Sequence, residues 1–194
     1  MIDYIKGTVT ELTPTEVVIE NNNIGYVAAI SLQTYSALDH RNDAKVYIHH
    51  ILREDEELFY GFATKDEREL FRLLIGVSGV GAATARMMLS SLTCEEIRGA
   101  IIGEDVNKIK SVKGIGLKSA QRLIIELKDK ITRGAGADSG AIFVTNNEIA
   151  EEAETALVML GFSKAAVGKA VAQILKTAPT APVEAIIKQA LQLL

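Results

Sequence analysis

The chain has 194 residues, 48% of them hydrophobic, and a formal net charge of −4. This length allows one or two ordinary domains, or three small ones with separate cores. No apolar run approaches the roughly 20 residues that a membrane-spanning helix needs, and the amino terminus lacks a signal-peptide pattern, so we expect a cytoplasmic protein with no membrane association. The single cysteine, Cys94, excludes an internal disulfide and suggests no cysteine-based metal site.

The charge is unevenly distributed along the chain. Residues 1–63 contain 4 Lys and Arg against 10 Asp and Glu, residues 64–133 contain 13 against 9, and residues 134–194 contain 4 against 6. The middle segment is therefore the basic one. A polyanionic partner is expected to bind there and not at the acidic ends.

Residues 1–63 predict a small β domain. Short runs rich in β-branched and aromatic residues alternate with turn signals, such as Thr13-Pro14 and the three asparagines at 21–23. The predicted strands cover residues 4–12, 15–20, 24–30, 45–52 and 57–62. Five short strands in about sixty residues suit a small barrel, and a five-stranded OB-fold is the economical interpretation.

Residues 64–133 change to the period of helices. Thr64 is a plausible N-cap, Thr93 with Glu96 forms a capping-box pattern, and Gly103 is expected to end a helix. The predicted helices cover residues 65–76, 82–91, 94–102, 105–111 and 117–132. This segment is thus predicted to be an all-α domain.

Residues 134–146 are small and polar, which predicts a flexible linker. Residues 147–194 then predict a three-helix bundle: Asn146 or Asn147 caps a helix that runs to Leu160, Ser163 caps a second that runs to Lys176, and Pro182 lies in the first turn of a third. The predicted core of the bundle includes Ala153, Leu157, Leu160, Phe162, Val167, Val171, Ile174, Ile186, Ile187 and Leu191. The fold class is therefore α+β and multidomain.

Two glycine-rich turns recur 35 residues apart, as Val77-Ser78-Gly79-Val80-Gly81 and Val112-Lys113-Gly114-Ile115-Gly116. Each turn lies between two apolar helical runs, so the pattern predicts helix, tight turn and helix, twice. Glycine tolerates positive φ and lets another group come close to the backbone. The second glycine of each pair opens a helix, whose first amides lack intrahelical partners and favour an anion such as phosphate.

The repeat resembles the tandem helix-hairpin-helix DNA-binding motif. Both copies fit its form, hydrophobic-x-Gly-hydrophobic-Gly-x-x-x-Ala, and the second copy, over residues 114–123, fits it closely. Beside the second turn, Lys118 and Arg122 share one helix face and could contact phosphate together with Ser119. The candidate DNA-binding residues are Gly79, Val80, Gly81, Gly114, Ile115, Gly116, Lys118, Ser119 and Arg122.

The sequence contains no recognisable catalytic or cofactor constellation. Gly168-Lys169-Ala170 lacks the upstream glycine and the hydroxyl of a phosphate-binding loop, and His49-His50 are strand neighbours that point to opposite faces. The residues after Leu123 offer no pair comparable to the catalytic Asp and Lys of repair glycosylases that share the hairpin motif. We therefore predict no enzyme activity, no cofactor and no metal site.

The whole chain resembles the RuvA family of bacterial Holliday junction branch-migration proteins. The resemblance is firmest in the segments Ile51-Leu52-Arg53-Glu54-Asp55 and Leu58-Phe59-Tyr60-Gly61-Phe62, in both glycine turns, and in Ala156-Leu157 with Leu160-Gly161-Phe162. It implies residues 1–63 as an OB-fold domain, 64–133 as the tandem hairpin DNA-binding domain, 134–146 as the linker and 147–194 as a motor-binding domain.

The resemblance also implies partners and a second site. It implies a homotetramer, or a pair of tetramers, that holds four-way junction DNA open on its basic face, with Glu54 and Asp55 as an acidic pin at the crossover. It further implies that residues 147–194 bind the ATP-driven motor RuvB, and that the resolvase RuvC is a partner. One departure is Ala82-Ala83, where family members often place a lysine, so the first hairpin is expected to use its backbone amides.

Two alternatives follow from the residues alone. The hairpins could serve an accessory of a DNA-repair nuclease or glycosylase, or both glycine turns could be packing devices in a protein-interaction module. By composition alone, the four carboxylates at 54–57 are normally interpreted as a solvated loop tip.

Overall fold

The computed structural model describes residues 1–134, 146–178 and 181–194. The chain divides into two compact units, Met1–Asp138 and Ser139–Leu194. The predicted linker at 134–146 falls almost wholly outside the described residues. The predicted domain boundaries at 63/64, 133/134 and 146/147 stay predictions.

The first unit begins with a closed five-stranded barrel, as predicted. Its strands are β1 (Tyr4–Leu12), β2 (Glu16–Asn21), β3 (Ile24–Ile30), β4 (Asp43–Leu52) and β5 (Glu57–Phe62), in the order β1-β2-β3-β5-β4 around the barrel. All pairings are antiparallel except that of β3 with β5. Alternating residues such as Val17, Ile19, Val46 and Ile48 fill the interior. The predicted five-stranded OB-like fold is confirmed.

A short helix between β3 and β4 was not predicted. This helix, α1 (Leu32–Leu38), begins after Ser31, whose hydroxyl accepts a hydrogen bond from the Thr34 amide. Seven residues are too few to show a clear helical period, and a helix of this length depends on its surroundings. The surroundings of α1 include another helix of the same unit.

Five helices complete the unit: α2 (Lys65–Ile75), α3 (Ala82–Ser91), α4 (Cys94–Ile102), α5 (Val106–Lys110) and α6 (Leu117–Gly134). The predicted caps are confirmed. Thr64 caps α2, Thr93 and Glu96 form a capping box on α4, and Gly103 is the C-cap of α4. The helices share one core, to which Phe62 at the end of the barrel contributes.

Two neighbouring residues of α2 join it to the barrel. The buried Glu67 carboxylate accepts hydrogen bonds from Ser31 Oγ and from Thr34 Oγ1, the latter at 2.6 Å. The equally buried Arg68 donates through Nη1 to the Asp3 backbone oxygen at 2.7 Å and also pairs with the Asp3 carboxylate. The hydrogen bond from Arg68 holds the pKa of Asp3 below its usual value. The barrel and the helices are thus connected by buried polar contacts as well as by apolar packing.

The second unit is a three-helix bundle formed by α7 (Asn146–Met159), α8 (Lys164–Thr177) and α9 (Val183–Leu193). Ser163 caps α8 as predicted. Two details of the prediction are wrong. Pro182 is the N-cap of α9 and does not lie in its first turn, and Leu160 and Leu191 are 62% and 45% exposed instead of buried. Leu160 follows the end of α7, where Gly161 has a φ of 102° and turns the chain, so helical periodicity did not decide its burial.

Candidate nucleic-acid interface

The two Gly-X-Gly turns have the same backbone hydrogen bonds. In the first turn the Val80 amide donates to Val77 O at 3.0 Å, and in the second the Ile115 amide donates to Val112 O at 3.1 Å. The residue between the glycines, Val80 or Ile115, is buried in the helical core. The predicted repeat is therefore a structural repeat, in which the central side chain fixes the turn from inside.

The first glycine of each turn is required by conformation. Gly79 has a φ of 89° and Gly114 a φ of 92°, in the region that residues with a Cβ rarely adopt. At both positions a Cβ would meet no atom within 4 Å, so the requirement comes from the backbone angle and not from crowding.

The second glycine of each turn has no such internal requirement. Gly81 has an extended backbone, with φ −83° and ψ 168°, and Gly116 is not in the positive-φ region. A Cβ at either position would meet no atom of the chain within 4 Å. Each of these glycines therefore leaves open space on the outside of the turn, where a group from another molecule can approach the backbone.

The helices after these turns also differ from their neighbours at the N-terminus. α1, α2, α4 and α5 each have a side-chain N-cap, supplied by Ser31, Thr64, Thr93 and Asp105. α3 follows Gly81 without a side-chain cap, and Gly116 before α6 has no side chain to offer. The first amides of α3 and α6 consequently face open space at the positive end of a helix dipole, the arrangement that binds phosphate.

The side chains around the two turns are different. Lys110, Lys113 and Lys118 surround the second turn, and all three are exposed and form no ion pair with a described residue. The corresponding positions 35 residues earlier are Ile75, Ser78 and Ala83. Lys110 and Lys113 were not among the predicted site residues, although their position beside Gly114 is visible in the sequence.

Arg122 is less available than the sequence suggests. Its Nε lies 3.0 Å from Glu126 Oε1, one helical turn further along α6, and both side chains are partly exposed. Ser119 is half-buried in the first turn of α6. Such an exposed pair contributes little to stability, but it partly neutralises the cation.

Several other cations of the middle segment are held by carboxylates. Arg98 is paired with Asp66, Lys108 with Glu96, and Lys128 with Glu104. The hydrogen bond from Lys128 keeps the pKa of Glu104 below its usual value. The accessible positive charge is therefore concentrated around the second turn more than the residue counts indicate.

Glu54 and Asp55 lie at the tip of the turn between β4 and β5. The turn is closed by the Arg53 amide, which donates to Glu56 O at 2.8 Å, and by an ion pair of 2.9 Å between Arg53 Nη1 and Glu56 Oε2. Glu56 is therefore neutralised locally. Glu54 and Asp55 are exposed and have no ion pair with any described residue.

Within the described ranges, no group of three or more His, Cys, Asp and Glu is arranged to hold a metal ion. The adjacent histidines pack against different rings, His49 against Phe71 and His50 against Phe59. Burial lowers the pKa of His49. No helix of the described residues is both long and apolar enough to cross a membrane.

Family models match three parts of the chain. Residues 1–61 match the RuvA N terminal domain, residues 71–129 match the SAM-like helix-hairpin-helix tandem, and residues 148–194 match the RuvA C-terminal domain. Full-length relatives named Holliday junction branch migration complex subunit RuvA include those of Bacteroides fragilis, 52% identical, and Parabacteroides distasonis, 50% identical. The alignment covers 99% of both chains in the first case and 100% of both in the second.

A closed barrel followed by two helix-hairpin-helix turns defines a class of multidomain DNA-binding proteins. Within this class, the identity of about half over the full length and the matches to both RuvA-specific domain models indicate the RuvA family. The chain belongs to the RuvA family.

Proposed function

We propose that this chain is the DNA-binding subunit of a branch-migration complex and that it binds four-way (Holliday) junctions without catalysing a reaction itself. The name shared by its relatives supports this function. The observation that carries it is the pair of uncapped helix N-termini behind Gly81 and Gly116, on the basic part of the chain.

In this proposal the two turns bind phosphate through their first helical amides. Backbone amides contact phosphates without reading bases, so binding does not depend on sequence. Lys110, Lys113 and Lys118 add attraction around the second turn, and Arg122 adds less because Glu126 shares its charge. The site residues Gly79, Val80, Gly114 and Ile115 act by shaping the turns.

Glu54 and Asp55 are proposed to give selectivity. Two unit charges 4 Å apart interact by about 1 kcal/mol in bulk water and about 4 kcal/mol at an effective dielectric constant near 20. In a fourfold assembly centred on the crossover, these unpaired carboxylates would repel a continuous duplex that crosses the centre. A junction whose strands diverge around them would be repelled less, so the penalty falls on the wrong ligand.

The experiment compares the affinity for a four-way junction with that for a duplex of the same sequence at matched salt. The wild-type chain is expected to prefer the junction, and Glu54→Gln with Asp55→Asn is expected to raise duplex affinity more than junction affinity. Glu56→Gln is the control, since Arg53 already neutralises that carboxylate. Equal wild-type affinities would overturn junction binding, and an unchanged ratio in the double variant would overturn the role of Glu54 and Asp55 alone.

We propose residues 147–194 as the part that recruits the motor RuvB. The bundle forms a unit of its own and exposes apolar side chains at the end of α7 and in α9, which favours a protein partner. Among the described residues of this unit, the large exposed apolar side chains are those of Val158, Met159, Leu160, Leu191, Leu193 and Leu194. Removing residues 147–194 is expected to leave junction binding intact and to abolish motor-driven branch migration; loss of junction binding would contradict this.

The proposed assembly is a homotetramer or a pair of tetramers, with RuvC as a further partner. Two hairpins in each of four subunits would supply two hairpins for each arm of the junction. Sedimentation of the full chain with and without junction DNA tests this, since a monomer in both conditions would contradict it. Gel shifts of the junction complex with added resolvase test the contact with RuvC.

A further inference from the structure

Helix α1 is capped by the first hairpin and caps it in return. The Gln33 side-chain amide donates to Leu89 O at 2.8 Å, in the last turn of α3, and to O of Leu92, the C-cap of α3. In the other direction, Ser90 Oγ of α3 accepts the Leu32 amide at 3.1 Å, one of the first amides of α1. These are the backbone groups that a helix end leaves without intrahelical partners, so each helix completes the other.

The same short helix also holds the other arm of the first hairpin. Ser31 and Thr34 donate to the buried Glu67 carboxylate of α2, and α2 and α3 are the helices on either side of Gly79-Val80-Gly81. Through α1, the barrel is therefore hydrogen-bonded to both helices of the first hairpin, α2 and α3.

Arg86 adds a third connection between α3 and the barrel. Its Nη1 donates to Thr15 O at 3.0 Å, in the loop before β2. The corresponding residue of the second hairpin, 35 positions later, is the exposed Gln121. Arg86 is the only cation in the sequence of α3, and it faces the barrel instead of remaining free beside the turn.

The second hairpin has no comparable attachment. Among the described residues, no hydrogen bond or ion pair joins α5 or α6 to the barrel; their ion pairs with other parts of the chain lead to Glu96 of α4 and to Glu104 just after it. The first turn is thus linked by hydrogen bonds to the barrel, which also carries Glu54 and Asp55, whereas the second turn is attached through the helical core.

We propose that Gln33 and Arg86 are positioning residues for junction recognition. They hold the first phosphate-binding turn at a fixed place relative to Glu54 and Asp55. The inference rests on the proposed function. A duplex needs only phosphate contacts, but a junction must contact the two glycine turns and lie around Glu54 and Asp55 at the same time. A loosened first hairpin therefore has to be ordered at a cost that falls mainly on the junction.

The test measures junction and duplex affinity for Gln33→Ala and Arg86→Gln at several salt concentrations. Either change is expected to weaken junction binding by about threefold to tenfold, if ordering the loosened hairpin costs about as much as immobilising one side chain. Duplex affinity is expected to change by less than about twofold, and the slope of log affinity against log salt to stay the same, because no phosphate contact is removed. Gln33→Lys, whose ammonium can donate to the same carbonyls, is expected to keep the wild-type ratio of junction affinity to duplex affinity.

Thr93→Ala is the control for stability. It removes the capping box of α4, where the Glu96 amide donates to Thr93 Oγ1 at 3.1 Å, a contact that involves no side chain of α1 or of the first hairpin. It is expected to lower the melting temperature and leave the junction-to-duplex ratio unchanged.

Four results would overturn the inference. An unchanged ratio in Gln33→Ala, or an equal fall of the ratio in Thr93→Ala, would show that the contacts serve stability alone. Equal losses on junction and duplex in Arg86→Gln, with a salt slope shallower by about one unit, would make Arg86 a phosphate contact. A wild-type chain without junction preference would instead overturn the proposed function, and this inference with it.

Discussion

The first and second hairpins have the same backbone and different surroundings. Both have a positive-φ glycine, a buried apolar residue and an uncapped helix start in the same order. Among the described residues, the first is hydrogen-bonded to the barrel and has no free cation beside its turn, while the second has three exposed lysines and no polar link to the barrel. The conformation of the turn constrains the glycines and the buried residue, and leaves the outer side chains free to differ. The comparison suggests that the first hairpin contributes geometry and the second contributes charge.

The largest expected effect comes from placing a carboxylate at the second glycine of either turn. Gly81→Asp and Gly116→Asp should each weaken junction and duplex binding by about tenfold or more, because a carboxylate close to phosphate costs roughly 1 to 4 kcal/mol. Stability should be unchanged or slightly higher, since aspartate is a favourable N-cap and a Cβ meets nothing at either position. Gel shifts and thermal melts measure both quantities.

The pair of variants also tests whether the hairpins are equivalent. If Gly116→Asp weakens binding and Gly81→Asp does not, the first turn serves only packing. The idea that the first hairpin contributes geometry to DNA binding and the second contributes charge would then be wrong. Gly99→Asp is the matched control, because Gly99 in α4 also has open space around its Cβ position and is remote in sequence from both turns.

A smaller effect is expected from the cations beside the second turn. Lys118→Ala should make the slope of log affinity against log salt shallower by about one unit, equally on unrelated sequences. Arg122→Ala should cost less affinity, because Glu126 already holds its guanidinium. The reverse change, Ala83→Lys, should raise affinity and steepen the slope, since it gives the first hairpin the cation of the second.

Lys130→Ala is the control for net charge, since Lys130 lies on the same helix about 18 Å beyond Lys118 at 1.5 Å per residue. Losses that depend on DNA sequence, or a slope unchanged by Lys118→Ala, would contradict a phosphate contact at this turn.

The smallest expected effect concerns the pH dependence of the link between α2 and the barrel. Burial raises the pKa of Glu67 above the usual 4.5, against the opposing hydrogen bonds from Ser31 and Thr34. Between the two values the folded state retains a proton that the unfolded state has released, so the stability contributed by this group falls as pH rises through that window. Glu67→Gln should therefore gain stability relative to wild type as pH rises. The difference in stability between the two proteins should be smallest near pH 4.5, the usual pKa of the side chain.

Melting temperatures of both proteins across this range measure the effect. Glu95→Gln, which removes an exposed carboxylate without an ion pair among the described residues from α4, controls for net charge. A difference between Glu67→Gln and wild type that stays constant with pH would mean that the pKa of Glu67 is the same in the folded and unfolded states.

Much of the fold was predictable because its signals are local. Thr64, Thr93 with Glu96, Gly103 and Ser163 cap or end helices where the sequence indicates, and Asn22 and Asn23 adopt positive φ in the predicted turn. The Gly-X-Gly repeat was equally local, since a positive φ at the first glycine and a buried residue after it are properties of five consecutive residues.

The predictions failed where distant residues decide. Helix α1 is stabilised by Ser90 and Glu67, which lie far along the chain, so its own seven residues carry little signal. Leu160 and Leu191 fit an apolar pattern, but both are exposed. Pro182 was predicted in the first turn of α9 but is its N-cap. This error is within the one or two residues by which assignments of helix ends commonly differ.

The sequence by itself determined the class of fold, the two turns and the location of the positive charge, because strand alternation, helix caps and glycine conformation depend on near neighbours. Tertiary structure decided which of those charges are free and which hairpin is fixed to the barrel. Arg98 meets Asp66, and Gln33 meets Leu89, only after the chain has folded. An ion pair or a capping bond between residues 32 or 56 positions apart has no local pattern, since it forms only when packing brings the two groups together.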